Sequence, residues 1–140
     1  MKRLLIFQAI FFIVIALPLY SQSREDDTNS DGKTDRWVSL SGGHVTEVSL
    51  DKNFDGNIDY IVKYNKNGNK TEEHQDYNLD GKLDDFYFYS NGKMIRREID
   101  SNYDEKVDIW VYLDGVYINK YEKDTDFDGE VDVVKDYTKE

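Results

Sequence analysis

The chain has 140 residues, 18 Lys and Arg against 29 Asp and Glu, a formal net charge of −11, and no cysteine. A surface of that sign repels nucleic acid and anionic membranes and attracts cations. The lack of cysteine excludes disulfides, a thiol nucleophile and a lipid-modified cysteine, so a lipoprotein is not expected.

Met1-Lys2-Arg3 opens the chain, followed by an apolar run from Leu4 to Leu17, Pro18 and a polar stretch ending at Ser23. That order describes a secretory signal peptide over residues 1–23. Ser21 and Ser23 suit small-x-small cleavage after Ser23, with cleavage after Ser21 as the near alternative. An uncleaved anchor is disfavoured because Leu4 to Tyr20 is shorter than the roughly 20 apolar residues of a spanning helix and contains Gln8. The expectation is an exported protein (secreted, periplasmic or cell-surface) with no membrane association after cleavage. Residues 24–140 then form one domain. Loss of Lys2 and Arg3 leaves 16 basic against 29 acidic residues, a net charge of −13.

From Asp27 onward one nine-residue pattern recurs, at 27–35, 51–59, 76–84, 100–108 and 124–132. The loops begin 24, 25, 24 and 24 residues apart, which marks a repeat protein. Positions 1, 3, 5 and 9 are acidic or amide, and position 6 is glycine in four loops, with Glu105 in the fourth. Alternate oxygen-bearing side chains around a tight turn wind a short loop about one hard cation. Of 20 aspartates, 16 occupy these positions, so the acidity is organised rather than the diffuse charge of a disordered chain.

Each loop leads into a strand-like run. Ile58, Tyr60, Val62 and Tyr64 alternate with Asp59, Ile61 and Lys63, and Val107, Ile109, Val111 and Leu113 repeat the pattern. These residues form the expected core face. The opposite face carries Trp37, Ile61, Phe86, Trp110 and Val134, and position 4 of the loops is apolar in Phe54, Leu79, Tyr103 and Phe127. These two columns are expected to pack together as the loops stack. Gly42-Gly43, Asn67-Gly68, Asn91-Gly92 and Asp114-Gly115 supply hairpin turns. More polar return strands follow at His44 to Leu50, Lys70 to Gln75, Lys93 to Ile99 and Val116 to Lys123, and the last repeat stops after Val131 to Tyr137. The expected fold is all-β, with about nine strands as tandem hairpin repeats of 24–25 residues, arranged as a meander or a solenoid-like array.

The loop resembles the calcium loop of EF-hand proteins, and equally the Asp-x-Asp-x-Asp-Gly loops of dockerins and thrombospondin type 3 repeats. The likeness covers nine-residue segments only. It implies calcium as the cofactor, with side-chain ligands Asp51, Asn53, Asp55 and Asp59 and the Asn57 carbonyl in the second loop. The corresponding sets are Asp27, Asn29, Asp31 and Asp35; Asp76, Asn78, Asp80 and Asp84; Asp100, Asn102, Asp104 and Asp108; and Asp124, Asp126, Asp128 and Asp132. The last set has a fourth carboxylate and is expected to bind tightest. The fourth loop is expected to be weakest, because a side chain at position 6 opposes the turn. The closing glutamate of an EF-hand is absent, since position 12 is Val38, Val62, Tyr87, Val111 or Lys135. One or two ligands are then expected from water or a neighbouring repeat, with Glu47, Glu72 and Glu98 as the acidic candidates. Affinities on the order of 10⁻⁴ to 10⁻³ M suit a structural rather than a signalling cation.

The composition supports three functional classes unequally. The first is a calcium-stabilised exported repeat protein with a structural or adhesion-like role and an extracellular protein partner. The alternative is a glycan-binding module using Phe86, Tyr87, Phe88, Tyr89, Trp110 and Tyr112 as stacking faces. The third is an enzyme, which is not expected. His44 and His74 sit in no triad or metal motif, and periodic loop placement accounts for the paired aspartates without catalysis.

Overall fold

The computed structural model describes residues 21–139. The expected signal segment lies outside the described residues up to residue 20; its last residues Gln22 and Ser23 belong to the first strand. Among the described residues no helix is long and apolar enough to cross a membrane.

Ten strands form one antiparallel sheet in sequence order: β1 Gln22–Asp26, β2 Arg36–Ser41, β3 His44–Leu50, β4 Tyr60–Tyr64, β5 Lys70–Gln75, β6 Asp85–Ser90, β7 Lys93–Ile99, β8 Ile109–Asp114, β9 Tyr117–Lys123 and β10 Val133–Asp136. The sheet is an open meander. The alternating connections sort by type, so the five acidic loops line one end and the four tight turns the other. In the β6–β7 turn Asn91 and Gly92 both take positive φ (50° and 76°), the handedness that matches the twist of paired strands.

Expected and observed return strands coincide for β3, β5 and β7, while β9 starts one residue late. Two features differ. β1 (Gln-Ser-Arg-Glu-Asp) has no apolar alternation, yet it pairs with β2 from Gln22–Leu40 to Asp26–Arg36. Each hairpin also carries a bulge near its turn, at Ser39/Leu40, Lys63/Tyr64, Phe88/Tyr89 and Tyr112/Leu113. Thr46 and Thr71 are extra residues on two bulged strands, and their hydroxyls donate to the carbonyls of Ser39 and Lys63 (3.2 and 3.3 Å). Repeated bulges strengthen the local right-handed twist.

The expected packing of one apolar column on another does not occur. Every strand contacts only its neighbours in the sheet, so among the described residues no second layer covers either face. Among the described residues only Val38 and Val62 are buried apolar side chains, joined through Val48 in one cross-strand row. Phe54, Leu79, Tyr103 and Phe127 remain 40–48% exposed; Phe54 shares a crevice with Lys33 and Thr34 of the preceding loop, and Phe127 one with Lys106 and Val107. A single-layer sheet offers no interior to receive them.

Cross-strand rows supply the cohesion instead. On one face Ile61, His74, Phe86, Glu98, Trp110 and Glu122 stand side by side, apolar or aromatic residues from the strands after loops alternating with polar residues from return strands. Arg96 lies 4.2 Å over Phe88, and Lys63 pairs with Glu72 at 2.7 Å. Such pairs contribute about 0.2–1 kcal/mol each.

Candidate metal centres

All five loops share one hydrogen-bond scheme. The position-1 carboxylate accepts the N–H of positions 4 and 6; in the second loop Asp51 takes Phe54 (2.6 Å) and Gly56 (2.8 Å). Position 4 therefore adopts a left-handed turn, with φ between 61° and 65° in every loop. In the first four loops the position-3 amide and position-5 carboxylate interlock: Asn53 Oδ1 accepts from the Asp55 N–H (3.0 Å), and its Nδ2 donates to Asp55 Oδ2 (3.0 Å), whereas in the fifth Asp126 only accepts, from the Asp128 N–H (3.3 Å). The position-9 carboxylate reaches back to the N–H groups opening the loop, as Asp59 does with Lys52 (2.6 Å) and Asn53 (3.1 Å). Local bonds of this kind close Asp/Asn turns without a cation, so shape alone does not define the chemistry.

Neighbouring loops are tied along the sheet end. The N–H groups of Asp51, Asp76, Asp100 and Asp124 donate to the carbonyls of Asp35, Asp59, Asp84 and Asp108, each at 2.8–2.9 Å. Each ninth residue thus holds the first residue of the next loop. Two strands separate successive loops, which places them about 10 Å apart. Gly81 makes the closest approach, because a Cβ there would lie 3.0 Å from Asn57 Cγ of the preceding loop.

The charge distribution carries more information than the turns. Asp35, Asp51, Asp59, Asp76, Asp84, Asp100, Asp108 and Asp124 are buried, at 1–5% exposure. Among the described residues no Lys, Arg or His forms an ion pair with any aspartate at loop positions 1, 3, 5 or 9. Their partners are neutral backbone and side-chain dipoles. Burying a carboxylate without a counter-charge is costly.

In two loops the oxygens converge further. Asp76, Asp80 and Asp84, and separately Asp124, Asp126 and Asp128, bring one carboxylate oxygen each within 4.8 Å of one another, a spacing that can hold a metal ion. The neighbouring charge of Asp128 pushes the Asp126 carboxyl above its ordinary value. Burial pushes Asp84 up as well, against the N–H bonds from Tyr77 and Asn78. Burial also acts on Asp35, but the Thr28 hydroxyl and the N–H groups of Thr28 and Asn29 outweigh it and hold that carboxyl low.

The fourth loop closes despite Glu105. The residue takes φ 71°, its N–H still reaches Asp100 Oδ2 at 2.7 Å, and its side chain accepts from Lys82 Nζ of the third loop. The proposed supplementary ligands fare worse. Glu47 binds Ser49, Glu72 binds Lys63 and His74, and Glu98 binds Arg96, all within the strands. The position-12 residues stand in one mid-strand row, from Val38 through Val62, Tyr87 and Val111 to Lys135, so none supplies an oxygen to its loop.

Sequence reasoning missed one buried charge. Asp85, 1% exposed, follows the third loop and accepts from Arg97 Nε and Nη2 and from the Tyr87 hydroxyl, which in turn lies 3.4 Å from the Tyr77 hydroxyl. Arg97 is raised well above its ordinary value, chiefly by its bonds to Asp85. The signal was present as an aspartate at the start of a strand, a place the loop pattern does not require.

No family model matches the chain, and no curated protein does. Among solved structures, the chain is similar in fold to part of accessory secretory protein 1, 2 and 3 in Streptococcus pneumoniae (TM-score 0.53, 13% identity, covering 74% of this chain and 19% of that one). It is also similar to part of the GtfA/B complex bound to UDP and GlcNAc (TM-score 0.54, 12% identity, covering 92% of this chain and 26% of that one). The chain thus spans about a quarter or less of the length of these chains. The exclusion of an enzyme from the sequence is corrected by the second likeness. That exclusion rested on a missing catalytic motif in an all-β repeat, yet a sheet of this fold occurs within a complex bound to UDP and GlcNAc.

Proposed function

We propose that this is an exported calcium-binding repeat protein, in which calcium held by the end loops stabilises the sheet and the sheet serves a structural or surface-interaction role. One observation carries the reading: among the described residues the fold buries eight loop carboxylates and only two apolar side chains, and gives those carboxylates no cationic partner. A hard cation with oxygen ligands supplies the missing charge. Calcium fits better than magnesium, which demands tighter octahedra, or zinc, which favours nitrogen and sulfur. The residues fit a cation through the carboxylates of positions 1, 5 and 9, with Asn or Asp at position 3; water completes the shell in place of the absent position-12 glutamate.

The test is thermal unfolding of residues 22–140, which keep all ten strands, in excess chelator, calcium or magnesium. Calcium raises the midpoint by several degrees and magnesium by less; identical curves in all three would sink the proposal.

A second reading is favoured by the likeness to part of a complex bound to GlcNAc and by Trp110, flanked by Glu98 and Glu122 on one face. In that reading Trp110 stacks on a sugar ring of an extracellular glycan. Phe88 and Tyr112 are poorer candidates, because Arg96 and Lys120 lie over their rings. Glycan binding that is lost in Trp110→Ala at unchanged stability supports this second reading; no binding to any glycan rejects it.

A further inference from the structure

The five loops look alike in sequence, but the oxygens of their ninth residues do not share one environment. In the first and fourth loops position 2 carries a hydroxyl that bonds the ninth carboxylate through Oδ1: Thr28 to Asp35 (2.7 Å) and Ser101 to Asp108 (2.8 Å). In the fifth, Thr125 donates to Asp132 Oδ2 (2.5 Å), and that aspartate is exposed and stands outside the cluster formed by Asp124, Asp126 and Asp128. The second and third loops have Lys52 and Tyr77 at this position, and both side chains turn away. The Lys52 ammonium lies 4.1 Å over the Tyr60 ring, and the Tyr77 hydroxyl meets Tyr87.

The consequence is an unanswered oxygen. Asp59 is 1% exposed, its Oδ2 accepts both loop N–H groups, and its Oδ1 is buried with no hydrogen-bond partner. In the third loop it is convergence that calls for a cation: Asp84, 3% exposed, accepts through Oδ2 only, and one of its oxygens lies within 4.8 Å of one from each of Asp76 and Asp80. An ionised, buried oxygen without a donor has lost its water and gained nothing for it. A hard divalent cation satisfies it at no cost of displacing a bond already made. A hydroxyl donor satisfies it too, and must be displaced before a cation gains the same oxygen.

We infer that the tightest cation sites are the adjacent second and third loops, 51–59 and 76–84, and that the residue at loop position 2 sets the order of filling. A hydroxyl there competes with the cation for the ninth carboxylate. This rests on the calcium reading above and replaces the expectation that the fifth loop, with four carboxylates, binds tightest. Lys52 and Tyr77 act as positioning residues by what they lack.

The experiment is calorimetric titration of residues 22–140, which keep all ten strands, with calcium alone, comparing the wild type with K52T/Y77T and K52A/Y77A. Threonine introduces the competing hydroxyl; alanine removes the same side chains without it. The wild type shows two sites filling ahead of the rest. In K52T/Y77T those two weaken about tenfold, the effect of one charge-assisted hydrogen bond, while K52A/Y77A keeps them. T28V/S101A, in the same titration, tightens the first and fourth loops. Equal weakening in the threonine and alanine variants overturns the inference, as does survival of the two tightest sites in D59N/D84N. Five equivalent sites in the wild type reject the assignment but leave the calcium reading standing, whereas no calcium uptake rejects both.

Discussion

Asp59 and Asp85 are the two most deeply buried side chains, and the fold answers them in opposite ways. Asp85 lies at the start of β6, beside Arg97 on the neighbouring β7, so the chain supplies its own cation. Asp59 ends a loop, forms no ion pair among the described residues and keeps one oxygen unpartnered. Neutralising a charge from within requires a neighbour on an adjacent strand. The loops do carry lysines, but Lys52 lies over the Tyr60 ring and Lys82 pairs with Glu105, and among the described residues none forms an ion pair with a loop aspartate. The strand body therefore supplies its own counter-charge, whereas in the proposed calcium reading the loop end takes its counter-charge from solution.

The largest expected effect separates these regions directly. Chelation removes roughly 0.4 to 1.4 kcal/mol per site, taking Kd of about 10⁻⁴ to 10⁻³ M at about 1 mM free calcium, or about 2 to 7 kcal/mol over five sites. Denaturant unfolding with and without chelator measures it. Arg97→Met comes next, at about 3 kcal/mol, the low end for orphaning a buried charge because the Arg97 side chain is partly exposed. That loss should be the same with calcium or chelator; calcium rescue would erase the distinction between the two regions.

Asp59→Asn gives a smaller change of two signs. It removes one calcium-linked increment of about 1 kcal/mol and raises the stability of the chelated protein by relieving the unpaired charge. Comparing chelator midpoints of wild type and variant tests the second sign. Glu105→Gly relieves a left-handed residue and forfeits an exposed pair with Lys82. The expected net gain is about 1 kcal/mol, since backbone relief exceeds the worth of a surface ion pair.

The smallest effect lies in the strand body. His74 sits edge-on to Phe86, with Nε2 buried 3.2 Å from Glu72 but without hydrogen-bond alignment. Burial, then the charge of Lys63, lowers its pKa against the opposing pull of Glu72 and Glu47. The unfolded chain therefore takes up the proton first. The contribution of His74 is complete above its ordinary value of 6.5 and is lost as pH falls below it. In chelator, wild type should lose under about 1 kcal/mol more than His74→Gln between pH 7.5 and pH 5.5.

Much of the fold was legible because each repeat states its own local rules. The Asp, Asn and Gly of the loops, the Asn91-Gly92 turn and the alternation around Val62 each act within a few residues, and a period of 24–25 repeats the message. β1 was not legible. A polar edge strand on an uncovered sheet needs no apolar face, so Gln22 to Asp26 carries no periodic signal. The bulges escaped for a related reason, since Thr46 and Thr71 read as ordinary strand residues until the register slips.

The sequence by itself determined the repeat, the oxygen-rich loops and the all-β class, because spacing and turn chemistry are local. Only the tertiary structure decided that the sheet is a single layer, that the apolar columns meet no partner and that aspartates are the most buried side chains. Those outcomes depend on which strands become neighbours. The same level separates Asp59 from Asp35: two aspartates at one loop position, distinguished by whether a hydroxyl reaches the remaining oxygen.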